Sequence, residues 1–230
     1  MTTEDLSKPA ILLVHGAWHG AWCWEALVPE LTALGWRAAT VDLPSASADP
    51  ADNAGMYDDA RAVRERLAAL DGPVTVLAHS YGGLPVTEAA AHASNVSRLV
   101  YLAAFLVDEG VSLAAVSKGQ LTPGAGGTVP PPEDAGGVLY GGVAPQDADR
   151  AAARLTPHTL KSFSEPLTEA GWKSVPSSYI VCEDDNALAP AFQETMALRA
   201  ERSHRRAWSH SPFLSAPAEL AALITFDAGR

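Results

Sequence analysis

The chain has 230 residues, 47% of them hydrophobic and 19% charged, enough for one well-buried core. A formal net charge of −11 argues against nucleic acid or an anionic membrane as a partner, since both need a concentrated basic surface. The basic stretch at 202–206 is short and has acidic neighbours. Two cysteines, Cys23 and Cys182, are too few for a disulfide framework and lack the spacing of a metal site; they read as buried small hydrophobes. The first residues, MTTEDLSKPAILLVHG, carry neither the basic region of a signal peptide nor an apolar run long enough to span a membrane. The expected setting is a reducing cytoplasm.

In chain order, AILLVH (10–15) reads as a buried strand, 21–35 as a helix ended by Gly35, and RAATVDLP (37–44) as a strand closed by Pro44. Residues 56–72 place Ala60, Val63, Leu67 and Leu70 at helical spacing. PVTVLAHS (73–80) is the next strand, followed by a helix at 83–93, strands at 98–105 and 177–184, a helix at 190–200, a weaker strand at 204–208 and a closing helix at 216–225. Strands alternating with helices imply a mainly parallel sheet of about six strands with helices on both faces, because parallel pairing requires crossovers. About nine residues precede AILLVH, too few for a leading antiparallel hairpin.

Residues 108–175 break this rhythm. Between 118 and 146 nearly half the positions are Gly or Pro, so a loop or poorly ordered flap is expected there; from 147 to 169 the pattern turns helical again. The expected organisation is an α/β core of residues 1–107 and 176–230 with residues 108–175 inserted as a cap over the carboxyl ends of the strands.

The stretch AHSYGG (78–83) carries the strongest chemical signal. A serine between a strand and a helix matches the Gly-x-Ser-x-Gly elbow, with Ala78 in place of the first glycine. A serine hydroxyl becomes a useful nucleophile only when a base takes its proton, so Ser80 requires a histidine. His210, in WSHSPFLS between the last strand and the last helix, is the candidate base. Asp184 and Asp185, after the strand YIVC, are the candidate acids.

VHGAWHGAWCW (14–24), HSYGG, YLAAFLVDEG, YIVCEDDNAL and SHSPFLSAPAEL, in this order over nearly the whole chain, resemble the α/β-hydrolase superfamily. More narrowly, they resemble the branch of plant methylesterases, hydroxynitrile lyases and bacterial esterases. The resemblance implies a triad in the order serine, acid, histidine, and its Cys-x-x-Asp spacing from Cys182 selects Asp185. It implies an oxyanion hole from the backbone N–H groups of Ala17 and Tyr81, with His15 supporting the turn and His79 flanking the nucleophile. It also implies esterase over lyase, since the lyases carry threonine at the position of Gly16, an acidic residue at His79 and lysine at Ser211.

Substrate-facing candidates are Gly16, Trp18, His19, His79, Leu106, Tyr140, Phe163, Leu167 and Trp172, each equally explicable as packing. A zinc site from His15 and His19 is not expected, because the segment lacks the glutamate of a His-Glu-x-x-His helix. The expected activity is hydrolysis of a small or medium hydrophobic carboxylic ester, without metal or cofactor, by a monomer or homodimer. A lyase or cyclase on the same scaffold, or a ligand-binding protein without turnover, are the competing readings. His92, His158 and His204 read as surface or satisfied core residues.

Overall fold

The computed structural model describes residues 9–47, 49, 53–117 and 127–229. Among these, six parallel strands form one sheet: β1 (Ala10–Val14), β2 (Arg37–Val41), β3 (Val74–His79), β4 (Val96–Leu102), β7 (Ser177–Cys182) and β8 (Arg202–Arg206), in the order β2-β1-β3-β4-β7-β8. Two short strands, β5 (Thr128–Val129) and β6 (His158–Thr159), pair antiparallel in the inserted segment. Any leading hairpin would fall on residues 1–8, outside the described residues.

Position in the sheet explains the strand sequences. The interior strands β1, β3 and β7 are buried at every residue and read as apolar runs because both faces are covered. The edge strand β8, RSHRR, is partly exposed at every position, and charged side chains suit an open edge. Alternate residues serve opposite faces. Leu12, Val76, Leu99 and Val181 pack with helices α2 (Met56–Ala68), α3 (Gly83–Ala90) and α8 (Pro190–Ala197). Ile11, Leu13, Leu77 and Ile180 pack with α1 (Leu27–Ala33) and α10 (Pro217–Ala228).

Several helices are shorter than the sequence pattern suggests. The helix expected over 21–35 is a single 3-10 turn, Ala21–Trp24, followed by α1, and Gly35 leaves it at φ +85°, a conformation glycine adopts without a steric cost. The helical stretch expected over 147–169 divides into α6 (Pro145–Ala152) and α7 (Leu160–Ser164), with β6 between them. The Gly/Pro-rich stretch expected as a loop contains β5 and α5 (Ala135–Leu139), whose start is held by the Asp134 carboxylate accepting from Gly137 N at 2.9 Å; residues 118–126 of it lie outside the described residues. A further short helix, α4 (Leu113–Val116), follows β4. Cys23 and Cys182 are free and buried, and burial raises both thiols above their ordinary range. Among the described residues no helix is long and apolar enough to cross a membrane.

The sheet order reverses beside β1. The chain leaves β1 for β2 on one side and returns to β3 on the other, so the loops after β1 and β3 diverge and leave a crevice between them. The turn that leads into α3 must pass close to the end of β1, and an added Cβ at Gly82 would lie 2.5 Å from the carbonyl oxygen of His15. Gly82→Ala is therefore expected to destabilise the protein by about 1–3 kcal/mol, read as a lower urea midpoint at unchanged slope. An unchanged midpoint would show that the elbow has room to move.

Candidate active site

Ser80 follows the last residue of β3 and sits at φ +51°, a left-handed backbone that costs a non-glycine residue about 1–2 kcal/mol. It begins a 3-10 turn, Ser80–Gly82, that leads into α3. Phe105 N donates to Ser80 O at 3.0 Å, tying the strained residue to the segment after β4. His79 and Tyr81 are buried, whereas Ser80 between them keeps partial exposure, so the turn lifts one hydroxyl out of the core.

The loop after β1 carries a second strained residue, Trp18, at φ +64°. His15 braces this loop: Leu43 N donates to its Nε2 at 3.0 Å, which leaves Nδ1–H to donate to Gly16 O at 2.9 Å. His19 braces it from behind, with Nδ1 donating to Ala17 O at 2.8 Å and Nε2 accepting from the Tyr140 hydroxyl at 2.9 Å. Gly16 has no room for a side chain, because a Cβ would come within 2.8 Å of Ser80 Cβ and 2.9 Å of His79 Nδ1.

His210 lies between β8 and the short helix α9 (Pro212–Ser215). Its Nδ1 donates to Asp185 Oδ2 at 2.7 Å. Asp185 is buried and held in place by three further donors: Ala187 N at 2.7 Å and Leu188 N at 2.9 Å to Oδ1, and Gln193 Nε2 at 2.8 Å to Oδ2. The neighbouring Asp184 is exposed. His79 does not compete for this carboxylate; its Nε2 donates to His210 O at 2.9 Å and its ring lies 4.6 Å from that of His210.

Ser80, His210, Ala17, Tyr81, Trp18 and Phe163 line one cavity of about 430 Å³. Its remaining wall is mainly apolar and includes Phe105, Leu113, Val116, Val138, Leu188 and Phe192. The other residues expected to face substrate lie elsewhere. Gly16, His19 and His79 are buried behind the lining. Leu106 is enclosed, with its N–H on Met196 Sδ at 3.4 Å. Tyr140 turns toward His19, Leu167 is buried with its N–H on Val111 O, and Trp172 donates to Val107 O at 2.9 Å. Composition selects apolar residues in the inserted segment, but not which side of each short helix meets the crevice. Phe105 and Leu188 fall inside the stretches YLAAFLVDEG and YIVCEDDNAL, whose spacing does not say which side chain faces the crevice, and Phe192 lies on α8.

His158 is enclosed in a polar cluster: its Nδ1 accepts from Trp18 N at 3.3 Å and its Nε2 meets Ser45 Oγ at 2.8 Å. His92 faces Glu169 at 3.5 Å near the surface, and His204 faces Asp227 at 3.2 Å. Desolvation holds His15, His79 and His158 below the usual imidazole range and takes His19 to about 3. In a pH titration followed by imidazole ¹⁵N shifts, His19 should keep neutral values from pH 5 to 8, and His15, His79 and His158 should each titrate below the usual imidazole range. A midpoint inside that window for His19, or an unshifted or raised midpoint for any of the other three, would contradict the burial described.

The sequence matches the alpha/beta hydrolase family over residues 11–223. It is 31% identical to the alpha/beta hydrolase nvfD of Aspergillus novofumigatus, over 96% of this chain and 97% of that one. It is 30% identical to the pFDCC methylesterase MES16 of Arabidopsis thaliana, over 97% of each. The crystal structure of a pyrethroid hydrolase from Sphingobium faniae superposes with a TM-score of 0.83 at 25% identity, covering 96% of this chain and 97% of that one. A match running from β1 into α10, with the fold of known hydrolases over nearly the full length, shows that the chain belongs to the alpha/beta hydrolase family.

Proposed function

We propose that the protein hydrolyses a small or medium hydrophobic carboxylic ester through an acyl-enzyme, with Ser80 as nucleophile, His210 as base and Asp185 as the acid that orients it. As a family member with methylesterases and a pyrethroid hydrolase among its relatives, the chain is a carboxylesterase-type hydrolase. The observation that carries the finer reading is the bond from His210 Nδ1 to Asp185 at 2.7 Å beside the cavity that Ser80 also lines. With Nδ1–H so engaged, Nε2 is left as the basic nitrogen.

In this reading Ser80 Oγ attacks the ester carbonyl carbon as its proton passes to His210 Nε2, and Asp185 stabilises the imidazolium. The negative charge on the carbonyl oxygen is received by the N–H groups of Ala17 and Tyr81. Collapse expels the alcohol, which takes the proton from His210. A water molecule then attacks the acyl-enzyme by the same route and releases the acid. Residues 108–175 serve as the cap, supplying Leu113, Val116, Val138 and Phe163 to the apolar wall.

The substrate class follows from the lining. Among the described residues no lysine or arginine lines the cavity, which favours a neutral hydrophobic acyl group over a phosphorylated or highly charged substrate. Serine rather than lysine at position 211, beside His210, favours ester hydrolysis over a lyase reaction that must stabilise a departing anion with a nearby positive charge.

Asp185→Asn is expected to lower kcat/KM on a p-nitrophenyl ester by roughly three to four orders of magnitude through loss of tautomer control, and Asp184→Asn by far less. His210→Ala should abolish the activity. A fluorophosphonate probe should label the parent at Ser80 and fail on Ser80→Ala. Retained activity in His210→Ala, or a larger loss from Asp184→Asn than from Asp185→Asn, would overturn the assignment.

A further inference from the structure

A carboxylate with zero exposure lies behind the cavity without touching it. Asp59, on α2, accepts the Tyr81 hydroxyl on Oδ2 at 2.5 Å, the Ser45 hydroxyl on the same oxygen at 2.5 Å, and Ser45 N on Oδ1 at 2.9 Å. Burial lifts it to about 6 despite these three donors. Ser45, in the loop after β2, also meets His158 Nε2 at 2.8 Å, and His158 Nδ1 accepts from Trp18 N at 3.3 Å.

The hydrogens in this cluster can be assigned without ambiguity. Trp18 N–H makes His158 Nδ1 an acceptor, so Nε2 carries the proton and donates to Ser45 Oγ. The Ser45 hydroxyl then donates to Asp59, as does Tyr81, and each donor is used once when Asp59 is ionised. The chain of bonds therefore starts at Trp18 N and the Tyr81 hydroxyl and ends on one carboxylate.

These two end points matter because of their neighbours in sequence. Trp18 follows Ala17, and Tyr81 follows Ser80. We infer that Asp59, acting through Ser45 and His158, is the positioning residue of the oxyanion hole, joining the two loops that supply its N–H donors. This inference rests on the hydrolase reading above, which names Ala17 N–H and Tyr81 N–H as those donors.

The surroundings fit that role. Trp18 is held in its left-handed conformation by the inserted segment, through Thr156 N on Trp18 O at 2.9 Å and Trp18 Nε1 on Val129 O at 3.0 Å as well as by His158. The Tyr81 ring packs against His158 at 4.6 Å and Phe163 at 5.4 Å. Ring packing limits where Tyr81 sits, and the hydroxyl bond to Asp59 limits how it turns. A hydrophobic filling would serve stability at least as well as a buried carboxylate. It would not link the β1 loop to the elbow.

The test compares Asp59→Asn, Ser45→Ala, Tyr81→Phe and the double variant Asp59→Asn/Tyr81→Phe with the parent at pH 8 on p-nitrophenyl butyrate. Active sites are counted by fluorophosphonate titration, so that unfolded protein does not enter the rate. Two inhibitors with the same apolar group are measured alongside: a trifluoromethyl ketone, which forms a hemiketal oxyanion, and the matching methyl ketone, which binds without that charge.

Each single variant should lower kcat per active site by about 10–100-fold, less than outright loss of an oxyanion donor, with KM within about threefold. Trifluoromethyl ketone affinity should fall by the same factor while methyl ketone affinity is kept, and the double variant should be no slower than Asp59→Asn alone. Parent-like kcat in the folded variants, or equal loss of affinity for both ketones, would overturn the positioning role. If Asp59→Asn does not fold, Tyr81→Phe, which removes one hydroxyl, decides on the same criteria. A parent that fails to label at Ser80, or a Ser80→Ala variant that keeps its turnover, would overturn the hydrolase reading and this inference with it. Normal labelling with unaffected variants would sink the inference alone.

Discussion

The close approach of α3 to the end of β1 is the constraint on which the candidate site depends. Because the strand order reverses beside β1, the turn after β3 passes against the end of the neighbouring strand within three residues. Gly82 lets the backbone pass His15 O, Gly83 does the same against Phe105, and Ser80 absorbs the bend at positive φ. The strain at one residue is outweighed by the hydrogen-bonded strands and two covered faces around it, which hold the turn whether or not it is comfortable there. The result is a hydroxyl raised out of the core while the residues on either side of it stay buried.

Desolvation then sorts the histidines. Four imidazoles lie close to the crevice without reaching a carboxylate, and burial disfavours their charged forms; His15, His19 and His158 each serve as one donor and one acceptor, whereas His79 only donates, to His210 O. His210 is also buried, yet its Nδ1 meets Asp185, which is itself held by two backbone N–H groups and Gln193. Of the rings around the crevice, His210 alone is bonded to a carboxylate among the described residues.

The inserted segment contributes more than apolar walls. His158, Thr156 and Val129 hold Trp18, and Asn186 beside the acid donates to Gly137 O at 3.1 Å. The segment is bonded both to the loop after β1 and to the loop after β7. These bonds tie the apolar wall of the cavity to the loops that carry Ala17 and Asp185.

Local pattern was sufficient for the alternation of strands and helices, for a mainly parallel sheet of six strands and for naming Ser80, His210 and an acid after YIVC as candidates. Those features depend on neighbours in sequence: apolar runs, glycines at a tight turn and the order of short motifs. The choice of Asp185 over Asp184 needed a resemblance from the sequence alone, and in the structure it is a matter of which carboxylate turns inward to His210 and Gln193. The cavity wall was legible only in part, at Trp18 and Phe163. Tyr140, Leu167 and Trp172 are as apolar as Phe163, but only contacts between distant segments decide which of them faces the crevice. The Asp59–Ser45–His158 cluster was hidden for the same reason. Its members lie on α2, the loop after β2 and the inserted segment, and no spacing along the chain records that folding brings them onto one carboxylate.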